Sequence, residues 1–296
     1  MTRLEPRPIT ENRSGPGVEF PLPMALFAVQ HVRRMRGGAQ AHLLRASDGN
    51  FYVVKFQNNP QHPRVLANDL MGSRLAERVG LPVAQTEVIE VEPWLVEHTP
   101  ELTIQLAGRT IACRPGLQFG SRFVVDPAEG QVFDYLPEAS LAQVKNLNAF
   151  AGMLALDKWT CNANGRQVAF WRRGRERKYH AAFIDQGYCF NAGEWSFPDS
   201  PLRGVYLRNE VYEWVRGWES FEPWLSRLEA LDPSQIWACA ECVPPEWYDA
   251  DVDGLEKLVQ LLVKRRGRIR ALIEDFRRST RMPFPQWTAG VAVGHA

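Results

Sequence analysis

Short apolar runs separated by polar turns dominate the first part of the chain and predict a β-sheet. Strand patterns occur at residues 28–32, 41–44, 51–56, 85–91 and 116–125. The glycine pair Gly37-Gly38 separates the first two strands, and the polar stretch 47–50 separates the second strand from the third. Three successive strands with short turns predict an antiparallel meander at the start of this sheet.

Apolar residues at helical spacing become frequent later in the chain. One amphipathic helix is predicted among the strands, from Arg64 to Val79, and Gly80 follows it as a C-terminal cap. After the strands, helical spacing predicts helices at residues 141–159, 211–218, 224–231 and 255–276. The stretch 93–110 has no clear pattern.

The order of these elements predicts an α+β fold with two lobes. The polar turn at residues 126–130 lies between the strand-rich and helix-rich parts and marks the boundary. We expect a flexible, Pro- and Gly-containing leader, a sheet lobe, a mainly helical lobe and a loose tail, at residues 1–22, 23–125, 126–282 and 283–296.

A polar segment followed by a hairpin lies inside the helix-rich part. Apolar runs at residues 168–171 and 181–184 flank a charged turn and predict two paired strands, with Asp185 directly after the second. Acid and amide side chains precede the first strand at Asp157, Asn162, Asn164 and Gln167. Since paired strands are ~4.8 Å apart, these groups are expected near Asp185. On its own, an acid at a strand end also fits an ordinary turn.

Lys55 interrupts a predicted strand of mostly β-prone residues. One interpretation is an edge-strand lysine that points to solvent. The other is a lysine that holds nucleotide phosphates, as a strand lysine does in kinases. A buried lysine is rare unless it is paired, so the second interpretation requires an acidic partner.

The composition is that of a globular protein without a dominant charge. Hydrophobic residues make up 45% and charged residues 23% of the 296 residues, and the net charge is +1, so no global field recruits nucleic acid or anionic lipid. No apolar run reaches the ~20 residues of a membrane span, and the first residues lack an apolar signal core, so a cytoplasmic location is expected. Five scattered cysteines suit a reducing compartment, and the lone C-x-x-C of Cys239 and Cys242 lacks a second ligand pair for zinc.

Seven stretches, in register along the chain, resemble the HipA-like kinases of bacteria. They are R-M-R-G-G-A-Q-A, D-G-N-F-Y-V-V-K-F-Q-N-N-P-Q, N-D-L-M-G-S-R-L-A-E-R-V-G-L-P-V, G-L-Q-F-G-S-R-F, D-K-W-T-C-N-A-N-G-R, F-I-D-Q-G and V-P-P-E-W-Y-D. The resemblance spans about residues 24 to 280 and implies a two-lobed protein-kinase-like fold, ATP and Mg²⁺ as cofactors, and γ-phosphoryl transfer to a Ser or Thr hydroxyl of a protein.

The resemblance also implies roles for individual residues. Gly37 and Gly38 take the place of the phosphate-covering turn, and Lys55 that of the phosphate-binding lysine. Asp69 takes the place of a glutamate that pairs with this lysine, and Asp185 looks like the metal-binding acid. We therefore expect the ammonium of Lys55 within salt-bridge distance of Asp69, in the cleft between the lobes.

The predicted catalytic loop departs from the family pattern N-x-D-R-H-x-x-N. Asn164 lies where the pattern has the aspartate that takes the substrate proton. An amide cannot act as a general base near neutral pH. Asp157 is the nearby acid that could substitute, so Asp157, Asn164 and Arg166 are the candidate catalytic residues. The family's metal-binding asparagine falls near Gln167 if a gap is allowed and at Ala169 if not, so either Asn162 or Gln167 is expected to complete the metal site with Asp185.

Three functions are therefore open. The first is an active HipA-like protein kinase, and the second is a catalytically impaired pseudokinase that acts as a nucleotide-dependent binding module. The third is a nucleic-acid-associated regulator that uses the basic residues between Lys264 and Arg270, which the net charge does not favour. A protein substrate and an antitoxin-like partner in another chain are left open by the sequence, and no membrane partner is expected.

Overall fold

The computed structural model describes residues 26–288. Its strands are β1 (Leu26–Arg34), β2 (His42–Ala46), β3 (Phe51–Lys55), β4 (Thr86–Val91), β5 (Thr103–Leu106), β6 (Arg109–Ala112), β7 (Gly116–Arg122), β8 (Gly130–Phe133), β9 (Gln167–Arg173) and β10 (His180–Ile184). Its α-helices are α1 (Val65–Arg78), α2 (Pro93–Glu97), α3 (Glu138–Leu141), α4 (Ala149–Thr160), α5 (Trp224–Ala230), α6 (Pro233–Glu241), α7 (Val252–Arg265) and α8 (Ile269–Arg277).

Five strands form a closed barrel in the order β1-β2-β3-β7-β4. Neighbours are antiparallel except at the closure, where β1 and β4 pair in parallel through Leu26 and Phe27. The predicted meander is thus β1 to β3. Strands β5 and β6 form a separate hairpin inserted between β4 and β7.

Alternation along the strands fills the barrel. Tyr52 and Val54 of β3 lie in its core, together with Ile89 of β4, while Lys55 belongs to the opposite face. Gly120 of β7 is required at this point, because a Cβ there would collide with the side chain of Ile89. The barrel therefore has a small core of its own.

Helix α1 lies in the other, larger core. Its side chains from Val65 to Ala76 are buried except that of Arg74, and its apolar ones pack with α4, β9, β10 and the later helices. Asn68 and Asp69 are buried within this helix although both are polar. The helix that follows β3 is thus packed as part of the helical region, although its sequence position is within the sheet lobe.

The second part of the chain is mainly helical, with a three-stranded sheet in the order β10-β9-β8. Strands β9 and β10 are the predicted hairpin, paired from Gln167 opposite Ile184 to Trp171 opposite His180. Helix α4 is buried on all sides, so it is the central helix of this region. The predicted α+β architecture, a sheet followed by a mainly helical part, is confirmed.

Several predicted helices differ from those in the structure. The helix expected at 141–159 begins only at Ala149, because Asn146 turns the preceding chain by bonding both backbone polar groups of Ala181. The helix expected at 255–276 is interrupted at residues 266–268 by a 3₁₀ turn. The helix expected at 211–218 is absent, and only its two ends belong to 3₁₀ turns, at residues 209–212 and 218–221.

The predicted loose tail at 283–296 is wrong where the structure describes it. Phe284 is buried against the rings of Tyr212 and Phe276, and Trp287 packs on Trp218. The prolines in this stretch led to the prediction of a tail, but two of its aromatic side chains join the core. The remaining tail residues and the predicted leader lie outside the described residues. Within residues 26–288, no helix combines the length and apolarity needed to cross a membrane.

The packing of α4 on α5 generates a stability prediction. A Cβ on Gly152 would lie within about 2.6 Å of ring atoms of Trp224, so Gly152→Ala overpacks this contact. We expect a loss of ~1–3 kcal/mol in the free energy of unfolding, measured by urea denaturation, even though alanine is the better helix former.

The matched control is Gly267→Ala, because no atom lies within 4 Å of a Cβ at that position. This variant should be neutral or slightly more stable. Equal stability of the two variants would contradict the close approach of α4 to Trp224.

Candidate functional site

Lys55, Asp69 and Asp185 form a buried cluster of three charges between the barrel and the helical region. The ammonium of Lys55 lies 2.7 Å from Oδ2 of Asp69 and 2.6 Å from Oδ1 of Asp185. The lysine comes from the end of β3, Asp69 from α1, and Asp185 from the residue after β10. The predicted Lys55–Asp69 ion pair is confirmed, and Asp185 joins it.

The charges of this cluster set one another's protonation. Burial by itself would lower the pKa of Lys55, but Asp185 and Asp69 outweigh burial and raise that pKa, so the lysine stays charged. Burial raises the pKa of Asp69 to about 6 despite the attraction of Lys55. Burial acts in the same direction on Asp185, but Lys55 outweighs it and holds the pKa of Asp185 below its usual value. Asp185 is therefore the more firmly ionised carboxylate.

The backbone around Asp185 is held tightly against α1. Asp185 has a left-handed backbone with φ of 63°. A Cβ on Gly187 would lie 2.6 Å from Val65 and 2.8 Å from Asp69, so only glycine fits there. In α1 itself, a Cβ on Gly72 would lie 2.8 Å from Cβ of Gln186. Residues 185–187 and α1 thus approach each other closely at two glycines, Gly187 and Gly72.

Asp157, expected as a substitute base, has a structural position instead. Its side chain is fully buried, and its carboxylate accepts hydrogen bonds from the guanidinium of Arg166 at 2.5 and 2.9 Å. Gly204 covers it so closely that a Cβ there would lie 2.7 Å from Cβ of Asp157. A general base must reach the proton that it removes. The assignment of Asp157 as base is therefore wrong.

Arg166, also proposed as catalytic, is buried and works within the protein. Besides Asp157, its guanidinium donates to the carbonyl of Ile184 at 2.7 Å and to the side chain of Gln186 at 3.2 Å. It thus ties the predicted catalytic loop to the segment that carries Asp185. The guanidinium does not contact a substrate position, so Arg166 is a positioning residue rather than a catalytic one.

Asn162, one of the two expected metal-binding amides, is turned inward. It is buried, its Nδ2 donates to Asp157 at 2.9 Å, and its Oδ1 accepts from the backbone N–H of Asn164 at 3.0 Å. Both ends of the amide shape the loop, and this prediction is wrong. Asn164 itself is exposed and accepts only the backbone N–H of Gly165, at 2.8 Å.

Gln167 is the other expected metal-binding amide, and its role stays a prediction. It is exposed and pairs across the hairpin with Ile184, the residue before Asp185. In residues 26–288, no three His, Cys, Asp or Glu side chains cluster so as to hold a metal ion by themselves. A Mg²⁺ ion fits this donor set because water and phosphate oxygens commonly complete its octahedron.

Two buried polar atoms close to Asp185 have no partner within the described chain. They are Nδ1 of His62 and Nε2 of Gln186. His62 also bonds the backbone of Gly187 at 2.8 Å through Nε2. Unpaired buried polar groups are costly. Their presence around Asp185 fits a site that takes a polar ligand such as a nucleotide.

The predicted glycine turn lies beside the loop that carries Gln61. Gly37 has a φ of 118°, and both Gly37 and Gly38 are exposed. The side chain of Asn59 donates to the carbonyl of Ala39 at 2.9 Å, so the turn is attached to the segment between β3 and α1. Among the described residues, this turn makes no hydrogen bond to Lys55. Its phosphate-covering role stays a prediction.

Asn68 is a site residue that the sequence did not reveal. Its fully buried amide bonds three carbonyls and the indole N–H of Trp195, all in the segment after Asp185. On a helix, a lone asparagine next to an aspartate is usually an exposed polar residue. Its one signal was the position next to Asp69, in the middle of an apolar helix face.

The segment that Asn68 holds has an unusual backbone. Phe190, Asn191 and Ala192 are consecutive left-handed residues, with φ of 59°, 59° and 58°, and Trp195 is left-handed as well. For residues with a side chain this conformation costs roughly 1–2 kcal/mol each. Such strain persists only where surrounding contacts impose it.

Comparisons with known proteins bear on this geometry. The model of a protein family described as HipA-like kinase matches residues 29–169, which include Lys55, Asp69 and the loop around Asn164. No curated protein matches the chain significantly. The family match confirms the resemblance that was inferred from the motifs.

Solved structures similar to this one are kinases of low sequence identity. The Helicobacter pylori proinflammatory kinase CtkA is 14% identical, with a TM-score of 0.51 over 84% of this chain and 95% of that protein. The golgi casein kinase is 13% identical, with a TM-score of 0.49 over 88% and 78% of the two chains. HipA of Shewanella oneidensis MR-1, solved with HipB and its operator DNA, is 11% identical, with a TM-score of 0.47 over 89% and 70%. The likeness to CtkA shows a protein-kinase-like fold.

Removal of Lys55 should expose the repulsion within the charge cluster. In Lys55→Met, two buried carboxylates face each other without a cation, so we expect a loss of ~3–5 kcal/mol in the free energy of unfolding near neutral pH. Without the ammonium, burial raises the pKa of both carboxyls above the unfolded value, and the folded variant binds extra protons. The loss should therefore be smaller at about pH 5 than at about pH 8, as measured by urea denaturation at both values.

The control for this prediction is Lys55→Met combined with Asp69→Asn. Removing one of the two carboxylates should recover part of the stability at about pH 8. No recovery, or a loss independent of pH, would show that the cluster is not held by these charges.

The pairing of Asp157 with Arg166 gives a second prediction for this site. Asp157→Asn leaves a buried guanidinium without its carboxylate, so we expect a loss of ~3–5 kcal/mol in the free energy of unfolding, measured by urea denaturation. Asn164→Ala, on the exposed part of the same loop, should change it by less than about 0.5 kcal/mol. Similar small effects for both variants would mean that Asp157 is not the structural anchor described here.

Proposed function

We propose that this chain, whose residues 29–169 match the HipA-like kinase family and whose fold is protein-kinase-like, binds ATP with Mg²⁺ but is strongly impaired in phosphoryl transfer. Family membership suggests a phosphotransferase. The observation that carries the proposal is a contrast within one site: the cluster of Lys55, Asp69 and Asp185 is complete, whereas the loop offers no accessible carboxylate as base.

Lys55 supports nucleotide binding. An ammonium has three N–H donors, and Asp69 and Asp185 take two of them, which leaves one for a phosphate oxygen. The two carboxylates fix the side chain and keep it charged. A preorganised cation of this kind loses little conformational freedom when a phosphate binds.

Asp185 and Gln167 are the residues that would hold the metal ion. Only one carboxylate oxygen of Asp185 contacts Lys55. Gln167 pairs across the hairpin with Ile184, the residue before Asp185. When bound, Mg²⁺ would neutralise part of the charge of the phosphates. The unpaired Nδ1 of His62, a residue bonded to Gly187, would supply a further polar contact.

The loop lacks a general base for phosphoryl transfer. Asn164 occupies the loop position of the family's aspartate, and its amide cannot accept a proton near neutral pH. Asp157 is paired with Arg166 and covered by Gly204. Loss of a general base typically lowers a rate by ~10²–10⁴-fold, so transfer is expected to be slow. The result is a nucleotide-dependent binding module rather than an efficient kinase.

An active serine/threonine kinase is the second candidate. It is supported by the intact charge cluster and by the fact that phosphoryl transfer depends mainly on positioning and electrostatic stabilisation. A protein substrate and an antitoxin-like partner belong to this candidate as predictions.

The nucleic-acid regulator has less support. Arg265 is buried on Asp199, and Arg270 pairs with Glu229, so the expected solvated basic face is partly used inside the protein.

Restoring the carboxylate separates the first two functions. In Asn164→Asp, the exposed loop position gains a base, and we expect transfer from labelled ATP to rise by ~10²–10⁴-fold over wild type. ATP affinity in the presence of Mg²⁺, measured by calorimetric titration, should be similar in both proteins, because Asn164 does not touch Lys55 or Asp185 in the structure.

The control adds Asp185→Asn to Asn164→Asp, which should lose both Mg²⁺-dependent binding and transfer. If wild type already transfers phosphate as fast as Asn164→Asp, the active-kinase candidate is right. If wild type does not bind ATP with Mg²⁺, neither nucleotide function survives.

A further inference from the structure

The side-chain amide of Asn68 is saturated by the segment that follows Asp185. Its Nδ2 lies 3.0 Å from the carbonyl oxygens of Gly187 and Cys189 and 2.7 Å from that of Ala192. Its Oδ1 accepts the indole N–H of Trp195 at 2.8 Å. The asparagine is completely buried, so water cannot replace these bonds.

The three carbonyls belong to a backbone that would not keep its shape unaided. Two of them precede the left-handed residues Phe190 to Ala192, and the third is the carbonyl of Ala192 itself. The same turn contains the left-handed Trp195. Convergent carbonyl oxygens repel one another unless a donor lies between them. Asn68 supplies that donor from α1, so the turn depends on a helix more than 100 residues earlier in the chain.

Asn68 also connects this turn to the charge cluster. The next residue in α1, Asp69, binds Lys55 and lies so close to Gly187 that a Cβ there would touch it at 2.8 Å. Gly187 is bonded by Asn68 and lies two residues after Asp185. One turn of α1 therefore fixes both the partner of the lysine and the backbone that follows the metal-binding candidate.

We propose that Asn68 is a positioning residue that holds Asp185 in place for the metal ion. This inference rests on the proposed function, since it concerns the same Mg²⁺-nucleotide site. Asn68 acts through the carbonyls of Gly187, Cys189 and Ala192 rather than through a ligand contact of its own. Its chemistry is specific: the position needs a donor toward the carbonyls and an acceptor toward Trp195, which an amide provides and a carboxylate does not.

The test replaces the amide by a carboxylate of the same shape. In Asn68→Asp, the three carbonyls face an acceptor, and we expect the turn to shift and Asp185 with it. Calorimetric titration should show that the gain in ATP affinity on adding Mg²⁺ falls by roughly tenfold or more, the scale of a lost buried hydrogen-bond set. ATP affinity without Mg²⁺, which depends on Lys55, should change by less than about threefold.

A second readout needs no ligand. Limited chymotrypsin digestion followed by mass spectrometry should show faster cleavage at Tyr188 and Phe190 in Asn68→Asp than in wild type. The matched control is Asn146→Asp, because Asn146 also bonds backbone groups, both on Ala181, but lies away from the charge cluster. That variant should leave the Mg²⁺ effect and the cleavage at these two residues unchanged.

A milder variant covers the case in which Asn68→Asp does not fold. Trp195→Phe removes the indole N–H and keeps an aromatic ring, so a partial loss of the Mg²⁺ effect is expected.

The inference is overturned if wild type shows the Mg²⁺ effect and both Asn68→Asp and Trp195→Phe retain it in full. It is also overturned if Asn146→Asp lowers the Mg²⁺ effect as much as they do, because the role is then only structural. Wild type without any Mg²⁺ effect contradicts the proposed function instead.

Discussion

The contact of one ammonium with two carboxylates at the barrel's edge is the constraint on which the site depends. Lys55 is supplied by the barrel, while Asp69 and Asp185 come from the larger core. Removing three charges from water is favourable only when they compensate one another. The barrel therefore has to sit where β3 delivers its last residue between α1 and the end of β10. The same geometry leaves the lysine charged and one of its donors unused, which is what a phosphate requires.

A second buried ion pair, Arg166 with Asp157, has the opposite consequence. Here both partners are enclosed, and the remaining guanidinium donors go to Ile184 and Gln186. This pair joins the catalytic loop to the strand that carries Asp185, but it also removes the loop's acid from solvent. One ion pair thus prepares the site for a ligand, while the other stabilises the loop and leaves Asn164 as its exposed polar side chain. The proposed binding without efficient transfer rests on this difference in exposure between the two pairs.

The sequence was informative where a residue contradicted its local pattern. Lys55 within a strand required an acid, the next helix contained Asp69, and the hairpin ended directly before Asp185. It failed where the partners are distant or where the side chain has an ordinary local role. The pairing of Asp157 with Arg166 depends on the turn after α4, whose left-handed Cys161 no periodicity indicates. Asn68 has its partners more than 100 residues away, and the interruption of the last long helix at residues 266–268 has no proline to announce it.

The assignment of α1 to the larger core changes which parts of the site form a rigid unit. Residues after Asp185 touch α1 at Gly72, at Gly187 and through Asn68, whereas Lys55 touches it only through Asp69. Because packed interiors transmit displacement rather than absorb it, the metal-binding candidate follows α1 closely. The barrel has a separate small core but also contacts α1, through the charge of Lys55, through Phe119 of β7 and through the bond of Arg74 to the carbonyl of Thr86 at 2.6 Å. A phosphate that binds both Lys55 and a metal ion on Asp185 would therefore add a link between the barrel and the larger core.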